Sequence, residues 1–195
     1  MAGQSIDLLS TGDEAPAFEL EGADGETHSL ADFADHDALL VVFTCNHCPY
    51  AKAKIPFLND LAGDYDDLAV VGINPNDNPD YPDDSFERMV ELVEDGTVAY
   101  DAYLWDPTQE TAKAYGAVCT PDPFLFANDG GTFELAYHGR LDDAPNPDDT
   151  PQREEMREAV EAVLAGDEVV LTGEPSRGCT IKWQAGNEPE YWATI

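Results

Sequence analysis

Basic residues are scarce in this 195-residue sequence, which contains nine Lys and Arg residues against 41 Asp and Glu residues. The net charge of -32 excludes nucleic acid and anionic membrane surfaces as partners, because both are bound through Lys and Arg. The acidic residues are spread along the whole chain rather than gathered in a tail. Because salt screens their repulsion, the composition predicts a protein adapted to molar salt that loses structure at low ionic strength.

Long hydrophobic runs are also missing. The strongest run, Ala38–Phe43, is far too short to cross a bilayer. Residues 1–10 lack the basic and apolar regions of a secretory signal, so we expect a cytoplasmic protein. Apolar residues make up 43% of the chain and recur along its length, which favours a folded domain over disorder.

The order of the predicted elements indicates a mixed α/β sandwich. An arm and a β-hairpin with a turn at Asp24-Gly25 open the chain, and a second hairpin turns at residues 128–131. Further strands are expected at 38–43, 68–73 and 103–105, and helices at 46–63, 84–94, 108–115 and 151–165. Phe86, Val90 and Val93 are expected to face inward from the second helix. Residues 1–170 are predicted to form one domain, and residues 171–195 an irregular tail that carries Cys179 and packs on it.

Cysteine is rare as well, with four residues in the chain. In a reducing compartment a close pair is catalytic or metal-binding more often than structural. Cys45-Asn46-His47-Cys48 lies where a buried strand ends and a helix begins, and helix-start amides lower a thiol pKa. We therefore expect Cys45 to be the exposed nucleophile, with Cys48 buried one turn further in to resolve the mixed disulfide.

Three further residues have both a functional and a simpler interpretation. Protonated His47 favours the Cys45 thiolate, or it is a solvent-exposed side chain without a role. Cys119 is an auxiliary thiol near the pair, or a small buried hydrophobe. Cys179 is a third, exchangeable partner for Cys45, or an unpaired thiol in the tail. Phosphate-binding glycine loops and dinucleotide fingerprints are missing, so we predict no cofactor and expect electrons from another thiol.

The segment Val118-Cys119-Thr120-Pro121, combined with Cys45-Asn46-His47-Cys48, resembles the thioredoxin fold. The resemblance implies a three-layer sandwich: a central mixed sheet with an N-terminal hairpin extension and helices on both faces. It also implies a cis Thr120–Pro121 bond that packs against the two cysteines. The backbone at Thr120 and Pro121 is then expected to bind the substrate chain.

Residues 12–20 resemble the opening of the redoxin branch, which contains alkyl-hydroperoxide-reductase and thiol-antioxidant proteins. Residues 178–183 resemble the end of a peroxiredoxin-like group in which Cys-Asn-His-Cys-Pro-Tyr also occurs. Peroxiredoxins, however, place a Thr three residues before the peroxidatic cysteine and hold peroxide with an Arg. The residue three positions before Cys45 is Val42, and the residue three positions before Cys48 is Cys45, so neither cysteine has this Thr. Arg140 is the one Arg near the segment that follows Pro121.

Three functions follow from these residues. The favoured one is thiol–disulfide exchange on a disulfide-containing protein or a small thiol, with another thiol as electron donor. The second is a thiol peroxidase, in which Cys45 becomes a sulfenic acid that Cys48 or Cys179 resolves. The third is a Zn²⁺ or Cu⁺ module that draws on Cys45, Cys48, His47, Cys119, His138 and Cys179. Because no second Cys-x-x-Cys or close His pair completes a site, we predict no metal. The pattern predicts neither the direction of electron flow nor the oligomeric state.

Overall fold

The computed structural model describes residues 2–76 and 79–194. Among these residues no helix is both long and apolar enough to cross a membrane. The strands are β1 (Ala2–Gln4), β2 (Glu19–Gly22), β3 (Thr27–Ser29), β4 (Ala38–Phe43), β5 (Leu68–Asn74), β6 (Ala102–Trp105), β7 (Cys119–Thr120), β8 (Asp122–Asp129), β9 (Thr132–His138) and β10 (Arg177–Thr180). The α-helices are α1 (Pro49–Asp64), α2 (Phe86–Glu94), α3 (Glu110–Tyr115) and α4 (Glu155–Leu164). Short 3₁₀ helices cover Leu30–Phe33, Pro82–Asp84 and Glu190–Thr194.

A central sheet of seven strands has the order β3-β2-β6-β5-β4-β8-β9. Strand β4 lies in its interior and is buried at every residue, as its unbroken apolar run predicts. It pairs in parallel with β5 and antiparallel with β8. The hairpin of β2 and β3 extends the sheet through β6, which confirms the predicted mixed sheet and its N-terminal extension.

Helices cover both faces of this sheet. Alternate residues of β4 point to opposite sides, and all of them are apolar and buried, so each face needs a covering layer. Leu39, Val41 and Phe43 pack in a cluster with Tyr115 of α3. Leu40 of the same strand packs in a second cluster that contains Leu58, from α1, together with α4 residues. The predicted three-layer sandwich is therefore confirmed.

Three helices differ from the sequence expectation, and one of them is α4, which begins at Glu155 rather than at residue 151. Helix α1 begins at Pro49 rather than at residue 46, because proline fits the first helical position, where its missing N–H costs nothing. In α2 the buried hydrophobic side chains are Met89 and Leu92. The predicted inward residues Phe86, Val90 and Val93 are only partly buried, on the margin of the same cluster.

The tail at residues 171–195 packs on the rest of the chain, but it is not irregular throughout as expected. These residues contain β10, which lies between β1 and β7 in a second, three-stranded antiparallel sheet. Ile181 and Trp183 then enter the core beside α3. Short strands that contain glycine lack an alternating apolar pattern, so β1 and β10 were not predicted from periodicity.

Candidate functional site

Residues 44–48 connect the end of β4 to the start of α1. Cys48 is the N-cap of the helix, and Cys45 lies one turn before it. Cys45 is 1% exposed and Cys48 is 0% exposed, and both are free thiols. The expectation that Cys45 is exposed is therefore wrong, because the segment around Thr120 and the tail strand cover the motif.

Thr120 brings the two predicted halves of the site together. The Cys45 Sγ atom lies 3.1 Å from the Thr120 hydroxyl, and Cys48 Sγ lies 3.4 Å from the Thr120 carbonyl oxygen. The Thr120–Pro121 peptide bond is cis, as the resemblance implied. The structure thus gathers Cys45, Cys48, Thr120 and Pro121 in one place.

The pKa shifts of the two thiols run opposite to the sequence expectation. Burial, the hydrogen bond with Cys48 and the charge of Asp84 raise the pKa of Cys45 well above its usual value. Hydrogen bonds from Cys45, from Cys179 and from the Ala51 amide lower the pKa of Cys48 to about 5, against the effect of burial. The more acidic thiol is therefore Cys48, which stands nearer the amides of the helix start.

Asp84 organises the loop and was not singled out from the sequence. Its carboxylate accepts hydrogen bonds from the backbone N–H groups of Asn46 (2.7 Å) and His47 (2.8 Å), and from the side-chain amide of Asn76 (2.7 Å). Tyr103 in turn donates to the Asn46 side chain at 2.6 Å. Asp84 is one of 41 acidic residues, so nothing in the sequence marks it as the one that holds this loop.

His47 has a different partner from the one expected. Its Nδ1 atom hydrogen-bonds to the Asp84 carboxylate, and its ring packs on Tyr81 with centroids 4.6 Å apart. Burial disfavours the charged form of Asp84, but the hydrogen bonds with His47 and Asn76 outweigh it and lower the pKa of Asp84. His47 thus helps to hold the loop, and its predicted effect on the Cys45 thiolate stays a prediction.

The two auxiliary cysteines differ in their surroundings. Cys119 is fully buried, and burial raises its pKa; its sulfur faces the backbone carbonyls of Pro121 and Ser176. This environment suits a small hydrophobe. Cys179 is partly exposed, and its thiol hydrogen-bonds with Cys48 rather than with Cys45, the partner expected from the sequence.

The backbone beside Thr120 is already paired within the chain. Cys179 of β10 stands opposite Thr120 in antiparallel register, and the Thr120 hydroxyl donates to the Cys179 carbonyl oxygen at 3.4 Å. The expected binding of a substrate chain at Thr120 and Pro121 therefore requires another edge or the displacement of β10.

The metal-binding and peroxidase alternatives depend on residues around the motif and on Arg140. Cys45, His47 and Asp84 place one ligand atom each within 4.8 Å of one another, the one such group of three in the described part of the chain. His138 lies elsewhere, 3.0 Å from Asp122. Arg140, the candidate peroxide ligand, forms a bidentate pair with Glu155 at 2.9 and 2.7 Å.

The chain matches one family model and is similar to a named bacterial relative. The family model described as the AhpC/TSA family matches residues 11–133. A Mycobacterium tuberculosis protein named "Putative peroxiredoxin" is 32% identical over 111 residues, which are 56% of this chain. The chain spans 65% of the length of that relative.

Solved structures resemble the chain over most of its length. A hypothetical protein of Sinorhizobium meliloti 1021 is 42% identical, with a TM-score of 0.86 over 94% of this chain and 99% of its own. The thioredoxin domain of a thiol-disulfide oxidoreductase of Bacteroides vulgatus is 20% identical, with a TM-score of 0.51 over 67% of this chain and 91% of its own. The second likeness shows the thioredoxin-like fold.

Proposed function

The chain belongs to the AhpC/TSA family, and from that premise we propose that it is a thiol–disulfide oxidoreductase whose redox centre is the Cys45–Cys48 pair. The family and the fold support a redox function on thiols or disulfides. The clustering of Cys45 and Cys48 at the N-terminus of α1, with both sulfur atoms against Thr120, is the observation that carries the specific reaction.

We place Cys48 first in the order of steps, because it is the N-cap of α1 and its hydrogen bonds lower its pKa. The Cys48 thiolate attacks one sulfur of a disulfide and forms a mixed disulfide, which releases the first thiol. Cys45 then loses its proton and attacks Cys48, so that the Cys45–Cys48 bond forms and the second thiol leaves. Two electrons pass from the protein to the substrate, and a thiol donor returns them by the reverse chemistry.

A redox titration in molar KCl, with disulfides mapped by mass spectrometry at each potential, tests this proposal. We expect the Cys45–Cys48 bond to form as one reversible two-electron couple. A potential near roughly -270 mV indicates a reductant of its partners, and one near about -120 mV an oxidant. The proposal fails if the bond does not form while the protein stays folded.

A thiol peroxidase is the second candidate. The low pKa of Cys48 favours its thiolate, and a thiolate is the form of cysteine that peroxide oxidises. Arg140, however, is committed to Glu155, and no arginine of the described residues hydrogen-bonds with either sulfur. Peroxide consumption that requires Cys48 and outpaces disulfide exchange favours this candidate over the first.

A further inference from the structure

Cys179 is partly exposed, whereas the other three cysteines of the chain are buried. The exchange proposed above uses Cys45 and Cys48 and leaves Cys179 without a function. Attack by an external thiol on a disulfide needs access to one of its sulfur atoms. Because Cys45 and Cys48 are both buried, it remains to be explained how an external thiol reduces their disulfide.

Strand β10 holds Cys179 against the redox pair. Cys179 stands opposite Thr120. The preceding residue, Gly178, approaches the Thr120 backbone so closely that an added Cβ would overlap the Thr120 carbonyl oxygen. This close approach, which glycine permits, packs Cys179 against the cluster of Cys45, Cys48 and Ala51.

Cys48 is the sulfur that both other thiols contact. It hydrogen-bonds with the Cys45 thiol and with the Cys179 thiol, and it also accepts from the Cys179 backbone N–H. Cys45 interacts with Cys48, and its sulfur lies 3.1 Å from the Thr120 hydroxyl. The three thiols therefore lie in one cluster, in which Cys48 interacts with both Cys45 and Cys179.

We propose that Cys179 is a third redox-active thiol, which takes the disulfide from Cys45 through Cys48 and presents it to a small-thiol electron donor. In the first step the Cys179 thiolate attacks Cys48 in the Cys45–Cys48 disulfide. The Cys48–Cys179 bond forms, the Cys45–Cys48 bond breaks, and Cys45 leaves as a thiolate that takes up a proton. No net oxidation occurs in this step.

The donor reacts in the second step. An external thiolate attacks the partly exposed Cys179 sulfur, a mixed disulfide forms at Cys179, and Cys48 leaves as a thiolate. A second external thiol attacks the mixed disulfide, so that the donor disulfide departs and Cys179 recovers its proton. Two donor thiols lose two electrons, and the protein returns to the dithiol.

The charges around Cys179 agree with this order. In the reduced protein burial, the hydrogen bond with Cys48 and the negative charge of Cys48 raise the pKa of Cys179 to about 12, while Lys182 opposes them. Once Cys48 belongs to a disulfide, its negative charge is gone and the attraction of Lys182 persists. Cys179 is thus a weak nucleophile before oxidation and a better one after it.

The role of Cys179 rests on the proposed function, so one experiment follows both. The full chain and its Cys45→Ser, Cys179→Ser and Cys119→Ala variants are oxidised with diamide in molar KCl, quenched and mapped by mass spectrometry. We expect a Cys48–Cys179 disulfide in Cys45→Ser. We expect re-reduction by glutathione to slow about tenfold in Cys179→Ser, because the accessible sulfur is lost, and to keep its rate in Cys119→Ala.

The outcomes separate the two proposals. If the unmodified chain forms the Cys45–Cys48 bond but Cys45→Ser forms no Cys48–Cys179 bond, the role of Cys179 is wrong and the proposed function stands. Re-reduction of Cys179→Ser at the unmodified rate has the same meaning. If the unmodified chain forms no Cys45–Cys48 bond, both proposals fail.

Discussion

The Cys48 sulfur owes its low pKa of about 5 first to the hydrogen bond from the Cys45 thiol and then to those from Cys179 and the Ala51 amide. We therefore expect the reduced protein to contain one thiolate at neutral pH, which is protonated as the pH falls through about 5. The Cys45→Ala variant loses the largest contribution, so the pKa of Cys48 should rise toward its usual range. Ultraviolet absorbance of the thiolate against pH measures both.

Cys119→Ala is the control for this titration, because Cys119 is buried with a raised pKa and contributes no thiolate at neutral pH. Its titration should match that of the unmodified chain. An unchanged pKa in Cys45→Ala would contradict the assignment of the shift to the Cys45 hydrogen bond.

Asp84 holds the loop of the motif through hydrogen bonds to the backbone of Asn46 and His47 and to the side chains of His47 and Asn76. Asp84→Asn keeps the size of the side chain but removes its charge, so we expect a loss of about 1.5–3 kcal/mol in the free energy of unfolding. The pKa of Cys45 should also fall, because the Asp84 charge contributes to raising it. Urea denaturation and thiol titration measure the two effects.

The pH dependence of this effect has a definite sign. The pKa of Asp84 is lower in the folded protein than its ordinary value of 3.8, so its contribution to stability is complete above pH 3.8 and is lost as the pH falls through the folded pKa. Asp83→Asn is the matched control, since Asp83 is exposed in the same 3₁₀ helix, and it should leave the stability unchanged. Equal losses in both variants would contradict a special role for Asp84.

At the residue scale the sequence predicts which side chains meet, but not how deeply they are buried or which partners they hydrogen-bond with. The motif and the Thr120–Pro121 segment were predicted because both carry recognisable residues at fixed positions. The burial of Cys45 depends on Thr120 and on β10, and the partner of His47, Asp84, ends a 3₁₀ helix 37 residues away. Contacts at such separations leave no pattern in an acid-rich chain.

Strand β10 is the element whose placement depends most on a single residue. Gly178→Ala would drive a Cβ into the Thr120 carbonyl oxygen, so β10 must move away from β7. We expect a loss of about 1–3 kcal/mol in the free energy of unfolding, typical of overpacking. Hydrogen exchange of the amides in Arg177–Thr180 should accelerate, since their pairing with β7 weakens.

Gly63→Ala is the matched control for that substitution. Gly63 lies in α1 with open space around it, and alanine favours a helix by about 0.5–1 kcal/mol over glycine. We expect Gly63→Ala to be neutral or stabilising and to leave exchange in β10 unchanged. A Gly178→Ala protein as stable as Gly63→Ala would show that the close approach of β10 to Thr120 is not required.

At the scale of elements, the predictable part of the fold is the part with strong local signals. Strands β4 and β5 are continuous apolar runs, and the turn between β8 and β9 contains Gly130 and Gly131, both at positive φ. Strands β1 and β10 are short and pair with each other from opposite ends of the chain. Their pairing is set by contacts in the folded protein, so local pattern does not predict it.

Across the whole molecule six of the nine Lys and Arg residues are already paired with acids. The ion pairs of the described residues use Lys54, Arg88, Lys113, Arg140, Arg153 and Arg157. Arg177 lies over the ring of Tyr50, and Lys182 over the ring of Tyr81. With nine basic residues and 41 acidic ones, most carboxylates have no cation to pair with, so their mutual repulsion opposes the compact state.

Ions in the solvent are then the remaining means of screening this repulsion. The Debye length falls to about 10 Å at 0.1 M salt and about 3 Å at 1 M, so the melting temperature should rise steeply from dilute buffer to molar KCl. Circular dichroism melts across this range measure it, with sucrose as the uncharged control. Sucrose excludes itself from the surface without screening charge, so it should recover less of the stability than KCl. A melting temperature that is the same in dilute buffer and in molar KCl would show that the acidic surface does not destabilise the fold, and the interpretation of the composition as an adaptation to salt would be wrong.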